Sequence, residues 1–443
     1  MDRATLAVQA AAKQAMLCVA LAVAGALGPA WAADQFVALP SYRVGPYAAG
    51  GSGFYGGAID YFKLVNANGG VNGVKILWEE CETEYNPSRG IECYERLKTR
   101  NGGATLVDPL STGVAYGILD RVGQDRIPLT TLGYGRSDSA NGKVFPYVFP
   151  LVSTYWNQAA AMVKYLADQH GGYDKLRGKK IVHLYHDSAF GKEPLPVFEA
   201  QARQYGFELI KIAVAPPGSE QQSQWLQIRQ ARPDHVILWG WGVMNSVAIK
   251  TAQRNGFPRE KMLGVWWAGS EEDTIPAGDA ARGYSSMTIN TPGNYPLLDE
   301  LRKKIYSAGK GNLADPGRIG SVYHMRGLTM GILWVEAIRS AQERFGKGKA
   351  MTGEQVRWGL ENLDLNAARQ QALGVSGMFP TIKTSCDDHE GSGAVKVQQW
   401  DGKKWVAITP DWVVGDKALT RRLLLASSNA YAAEKKITPA CLK

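Results

Sequence analysis

Residues 35–78 read QFVALPSYRVGPYAAGGSGFYGGAIDYFKLVNANGGVNGVKILW. Gln35–Leu39 is an apolar run with the length of a buried strand. Pro40 ends it, and a Gly-rich stretch running to Gly57 separates it from the next apolar segment. Ile59, Phe62 and Val65 then recur at helical spacing within 58–66, and Gly69-Gly70 stops that helix. Val74–Trp78 is a second strand. Strand, helix and strand in so short a stretch predict a βαβ unit, with parallel strands and a helix laid on one face of their sheet.

The alternation continues downstream. Residues 86–97 read as a helix with Pro87 suited to its first turn, 104–107 as a strand, 113–123 as a helix and 127–131 as a strand. The pattern then restarts. Helices at 159–170, 194–205, 221–230 and 245–256 interleave with strands at 180–185, 208–214, 235–239 and 262–267. The chain thus divides into two successive α/β halves, crossing between them near Phe149–Ser153. Beyond Gly283 a polar stretch leads into helices at 321–344 and 352–360, the latter opened by a Thr352/Gln355 capping box. From Gly374 the tail reads as strands at 375–379, 394–400 and 404–408, the last two joined by a turn at Asp401-Gly402.

The N-terminus predicts export. A weakly basic lead with Arg3 and Lys13 precedes the apolar run Gln14–Leu27 and the small-residue exit Ala30-Trp31-Ala32. That predicts a cleavable signal peptide, residues 1–32, with the mature protein starting near Ala33 outside the cytoplasm. The run is shorter than the roughly 20 residues that span a bilayer. Leu17 before Cys18 is too bulky for a lipid-attachment signal. A chain of 443 residues exceeds what one core usually supports, so two lobes are expected. The net charge is +9, but Lys and Arg are scattered among acids with no basic run interleaved with aromatics, which argues against nucleic acid. An anionic envelope or an anionic ligand suits the charge better.

With Cys18 removed, four cysteines remain, and an even number in an oxidising compartment suggests pairs. Of the three possible connectivities, the sequential one, Cys81–Cys93 and Cys386–Cys441, is expected. A zinc site is the rival, but no close C-x-x-C pair exists and His389 near Cys386 is a thin basis for it.

The motifs of catalysis are missing. There is no G-x-S-x-G, P-loop, H-E-x-x-H or Rossmann glycine fingerprint, and Gly50-Gly51-Ser52-Gly53 lacks the Lys-Ser/Thr of a phosphate loop. Asp387-Asp388-His389-Glu390 reads as a solvated turn rather than a metal cluster, and His183 and His186 as structural. No enzyme activity, cofactor or metal is expected.

Gly45-Pro46-Tyr47-Ala48, the helix after it and the ending Asn66-x-x-Gly-Gly-Val-Asn-Gly73 resemble the leucine/branched-chain amino acid class of periplasmic substrate-binding proteins. Asp108-Pro109-Leu110-Ser111-Thr112-Gly113, Ile127-Pro128-Leu129, Asp187–Lys192 and Gln399–Trp405 resemble later elements of that class in the same order, so the resemblance covers essentially the mature chain. It implies an α/β, two-lobed type I periplasmic binding fold, each lobe a mainly parallel sheet flanked by helices, with three crossovers and hinged closure on a ligand. Lobe one would hold 33–151 plus 287–373. Lobe two would hold 152–286 plus 374–443, including the hinge-side C-terminal hairpin. The implied partners are a small carboxylate or amino acid and an ABC importer permease, with the receptor a monomer. A ligand-sensing module for a membrane signalling partner is the alternative.

The resemblance also places a binding site. Ser111 and Thr112 match the loop that holds a ligand carboxylate, and Gly133, Tyr134 and Gly135 occupy the second lobe-one loop, where Tyr134 is a departure. Phe190 stands where the family has Tyr. Met244 falls where the family has the acid that pairs with a ligand ammonium. Tyr42 and Arg43 replace small residues. Arg43 is expected either to hold a carboxylate in the cleft or to be a surface or hinge arginine. Of Trp239, Trp241, Trp266 and Trp267, strand alternation lets one of each pair face the cleft, and Trp241 and Trp267 are the candidates. The expected cargo is an aromatic or branched apolar acid, with an amino acid second.

Overall fold

The computed structural model describes residues 34–442. The expected signal peptide lies outside the described residues. β1 (Gln35–Leu39) and β2 (Ile76–Glu80) pair in parallel, with Gln35 opposite Ile76. The run at 104–107 makes no full strand. It contributes single bridges from Val107 to Ala38 and to Leu129, because Pro109 has no N–H with which to extend the ladder. Those bridges carry the sheet on to β3 (Leu129–Thr131) and β4 (Val148–Pro150), again in parallel.

The second sheet begins with β5 (Lys180–His186), β6 (Glu208–Val214), β7 (His235–Trp239), β8 (Met262–Gly264) and β9 (Ser285–Thr288), all parallel. A separate antiparallel pair, β10 (Asp364–Leu365) and β11 (Ile382–Lys383), belongs to the first lobe's side. β12 (Lys396–Trp400) joins β9 antiparallel and folds back into β13 (Trp405–Ala407). The order is β13-β12-β9-β8-β7-β5-β6. Helices flank both sheets, and the fold is the two-lobed α/β architecture expected.

Five further elements differ from expectation. The first helix runs from Ala48 to Ala67, so the glycines at 50–57 are helical rather than loop. They serve close packing: a Cβ on Gly57 would lie 2.1 Å from the carbonyl oxygen of His324 on the Val322–Phe345 helix. The strand expected at 262–267 stops at Gly264, and Trp266–Ala268 form a 3-10 turn closed by Ala268 N–H to Val265 O at 2.7 Å. Residues 375–379 are a turn that plugs Val375, Met378 and Phe379 into the core, while the polar β9 is a strand that its own composition does not announce. Lys417–Lys435 is a helix, capped by Asp416 and buried along Leu419, Leu424, Ser428 and Ala432.

The chain passes between the sheets at 151–154, 288–291 and 391–395. Val152, in the first passage, has φ +78, an unusual conformation for a β-branched residue. It is clamped there by Val152 N–H to Glu390 O and Gly393 N–H to Val152 O, both 2.8 Å. Within 375–391 the chain packs against elements of the first lobe's side. β11 pairs with β10, and the His389 ring stacks on Phe149 at 3.9 Å. Asp387–Glu390 is accordingly not a fully solvated turn: His389 and Glu390 are buried, and Glu390 accepts from Asn157 Nδ2 at 2.6 Å. Cys81–Cys93 and Cys386–Cys441 are bonded, with Cα–Cα distances of 5.6 and 5.7 Å. Among the described residues no helix is long and apolar enough to cross a membrane.

Candidate functional site

The loops after the strands of both sheets meet, where open α/β sheets place ligands. After Val107 the chain turns sharply through Leu110, at φ +42. Asp108 fixes that turn, its Oδ1 accepting the Leu110 N–H at 2.9 Å and the Tyr134 hydroxyl at 2.6 Å. Tyr42 donates its hydroxyl to Leu110 O at 3.1 Å. The turn delivers Ser111 as N-cap and Thr112 as first residue of the Thr112–Asp125 helix. The first-turn N–H groups of such a helix suit an anion.

Between the loops lies a narrow cavity lined by Tyr85, Leu110, Thr112, Tyr134, Tyr155, Phe190, Trp241 and Trp267. All but Leu110 and Thr112 are aromatic. Trp241 and Trp267 meet edge-on at 5.4 Å, Tyr134 meets Trp267 at 6.3 Å, and Tyr155 meets Phe190 at 5.5 Å. None of the eight carries a charge near neutral pH: burial pushes the Tyr134, Tyr155 and Tyr85 hydroxyls up from the ordinary phenol value. Asp108, behind Tyr134, is pushed up to about 7 by burial against the pull of its hydrogen bonds.

Contacts join the lobes around this cavity. Tyr47 Oη lies 2.9 Å from His186 Nε2, and Tyr323 donates to Trp267 O at 3.0 Å. Ser137 N–H donates to Glu193 Oε1 at 2.8 Å. Burial holds His186 down at about 4, so its ring is neutral.

Of the residues expected at a site, Thr112, Tyr134, Phe190, Trp241 and Trp267 are brought together in the wall. Tyr42 stands a layer behind, edge-on to Tyr85 at 5.1 Å and Trp241 at 6.5 Å. Ser111 caps its helix. Gly133 and Gly135 both have positive φ, and Gly133 admits Trp266: a Cβ there would lie 2.1 Å from the indole ring. Trp239 and Trp266 are core. The wall also holds Tyr85, Leu110 and Tyr155, which sequence reasoning missed. Thr154, whose hydroxyl accepts the Asn157 N–H at 3.2 Å, is an N-cap that places Tyr155 at the start of its helix.

Two expectations are corrected. Met244 does not reach the cavity: it is fully buried against Gly218. Arg43 does not face the cavity either. Its Nε pairs with Glu80 at 2.8 Å, while its other nitrogens donate to Ser52 O and Asn312 Oδ1, both at 3.1 Å. Arg43→Ala is therefore expected to change ligand affinity by less than about threefold and stability by no more than about 1 kcal/mol. Calorimetric titration and thermal melting of the variant check both.

A two-lobed α/β clamp with an aromatic cavity at its strand ends defines a binding protein. Residues 35–404 match the family model described as periplasmic binding protein, and the chain belongs to that family, one of binding proteins and not of enzymes. A solved structure described as an ABC transporter permease from the Pseudomonas fluorescens group is 46% identical. The match covers 93% of this chain and 100% of that one, with a TM-score of 0.85. The Leu/Ile/Val-binding protein homolog 3 of Brucella melitensis is 23% identical over 227 residues, 51% of this chain. That match spans only 59% of the relative's length. Two more distant structures share the fold. A Thermus thermophilus branched-chain amino acid ABC transporter protein with bound valine is 23% identical, covers 88% of this chain and 99% of its own, and has a TM-score of 0.73. An R. palustris solute binding protein in complex with benzoate is 19% identical, covers 87% and 98%, and has a TM-score of 0.69.

Proposed function

We propose that this chain is the exported, monomeric receptor of an ABC importer, and that it closes on a small aromatic or branched apolar carboxylate. The signal peptide read at 1–32, cleaved near Ala32, would deliver it to the periplasm, where it hands its ligand to the permease. The observation that carries the ligand class is the neutral, mostly aromatic wall, in which no carboxylate stands among the lining residues. An α-ammonium buried there would lack a counter-charge, a costly arrangement. A carboxylate instead finds donors at the Ser111–Thr112 helix start, while rings or branched tails find aromatic faces. The benzoate bound by the R. palustris protein is a ligand of this class.

An amino acid is the second reading, favoured by the relatives named for Leu, Ile and Val. A thermal-shift panel separates the two. Benzoate, phenylacetate and isovalerate are expected to stabilise the protein by about 2.7 kcal/mol at a hundredfold excess over Kd, and leucine and phenylalanine far less. Leucine binding as tightly as the acids would overturn the proposal.

A further inference from the structure

Arg326 sits in the Val322–Phe345 helix with no exposed surface, and none of its three guanidinium nitrogens has a hydrogen-bond partner among the described residues. Its Cζ lies 4.9 Å from the ring centre of Trp267 and 5.5 Å from that of Tyr323. Trp267 is a wall of the cavity, and Tyr155, another wall residue, lies within reach of the arginine's charge.

The carboxylates that also act on Arg326, Asp273 and Glu271, are committed elsewhere. Asp273 accepts from Asn245 Nδ2 at 2.9 Å, Ser270 N–H at 2.9 Å and the Ser270 hydroxyl at 2.8 Å. Glu271 accepts the Val322 N–H at 3.0 Å. Burial lowers the Arg326 guanidinium to about 10, which still leaves it charged at neutral pH. A buried cation without a bonded partner is among the costliest groups a fold can keep.

The same side of the cavity holds further idle donors. The indole N–H groups of Trp241 and Trp267 have no acceptor among the described residues. Unpartnered buried acceptors on this side include Asp108 Oδ2, Asn245 Oδ1 and Glu272 Oε2, the last on a carboxylate already paired with Arg318 through its other oxygen. Asp108 stands behind Tyr134, and the Asn245 oxygen is turned to the backbone of Gly240. Unpaired donors therefore outnumber unpaired acceptors where Trp241 and Trp267 meet.

We infer that Arg326, which stands behind Trp267 and does not itself line the cavity, is the specificity-determining cation for what binds there: its charge favours a carboxylate at the Trp267 edge, with the Trp241 and Trp267 indole N–H groups supplying the anion's bonds. The Trp267 and Tyr323 rings shelter the guanidinium until an anion arrives. This inference rests on the carboxylate reading of the cavity and adds to it the residue that tells an acid from its neutral amide.

The test is calorimetric titration of the full mature chain with benzoate and isovalerate, each against benzamide or isovaleramide, for wild type, Arg326→Met and Arg326→Lys. Wild type is expected to prefer the acids by about 100-fold or more, and Arg326→Met to lose about that factor for acids while binding amides within about threefold of wild type. Removing an idle buried charge should leave the melting temperature of ligand-free Arg326→Met equal to or above that of wild type, an outcome a purely structural arginine would not give. Arg326→Lys, with its charge but without the planar fork, should keep the preference for acids at reduced affinity. Acid binding by Arg326→Met within about threefold of wild type would overturn the assignment of Arg326 and leave the carboxylate reading intact. If Arg326→Met does not fold, Arg326→Lys decides: undiminished acid affinity there overturns the assignment. Failure of wild type to bind any of the acids would overturn both readings.

Discussion

Gly327→Leu is expected to cost the fold about 3 kcal/mol or more, enough to leave much of the first lobe unfolded. A Cβ at this position would lie 1.8 Å from the carbonyl oxygen of Phe54 and 2.8 Å from the Ala58 nitrogen. Both atoms are backbone of the Ala48–Ala67 helix, so no rotamer change relieves the overlap. Gly57 mirrors the arrangement from the other helix, where a Cβ would meet His324 O at 2.1 Å and Leu328 N at 2.9 Å. The two helices thus cross backbone to backbone through reciprocal glycines. The longer helix cannot retreat, because Trp334 Nε1 is tied to Thr130 Oγ1 of β3 at 2.7 Å. Gly123 supplies the contrast. It lies in the Thr112–Asp125 helix with nothing within 4 Å of its Cβ position, so Gly123→Ala should gain about 0.5–1 kcal/mol. Urea melts of both variants check the pair, and a Gly327→Leu midpoint unchanged from wild type would mean that the helices do not cross there.

That crossing also shows where the sequence misleads. Glycine is read first as punctuation, because its commonest use in a chain is a turn or a helix stop. The run 50–57 looks like a loop for that reason, yet it is the face along which one helix admits another. Periodicity cannot register it, since a glycine contributes nothing to an apolar stripe. The strands with strong local signals need no such context: β1, β6 and β7 occupy the spans their apolar runs predict. β9, Ser285-Ser286-Met287-Thr288, has no local signal. Its partners β8 and β12 lie upstream and far downstream, and only they make it a strand. In the same way 375–379 has a strand's composition but finds no free edge, so its apolar side chains fill the core instead.

Much of the site is legible in the sequence because the fold fixes it. Once the chain reads as two α/β halves, the loops after their strands are the meeting place, and the resemblance to the binding-protein class names five wall residues in or beside those loops. The charges are not legible. Arg43 looks like an anion anchor because Ser52, Glu80 and Asn312, which occupy it, are brought to it only by the fold. Arg326 is hidden the other way round. It lies in a helix buried almost all round, and only the structure shows that its guanidinium has no partner there.

Trp267 is where these lines converge, and Trp267→Ala is expected to weaken carboxylate binding by about 100-fold or more. Its indole lines the cavity, packs near-parallel to Tyr323 at 6.4 Å, meets Trp241 edge-on and covers Arg326. Truncation removes an aromatic wall and an idle donor, and it opens the guanidinium to water, so that any anion there competes with solvent. It also leaves a large hole, at about 3–5 kcal/mol. Lost stability must therefore be separated from lost recognition. Trp239 allows that separation. It is fully buried among Tyr155, His183 and Phe198 and does not line the cavity. Trp239→Phe should lower the melting temperature while leaving affinity within about threefold of wild type, whereas Trp267→Phe, which keeps a ring but deletes the donor, should lose at least about tenfold in affinity. Titration of the two phenylalanine variants at a temperature where both are folded gives the answer. Equal affinities would mean that Trp267 supports the cavity without touching what binds in it.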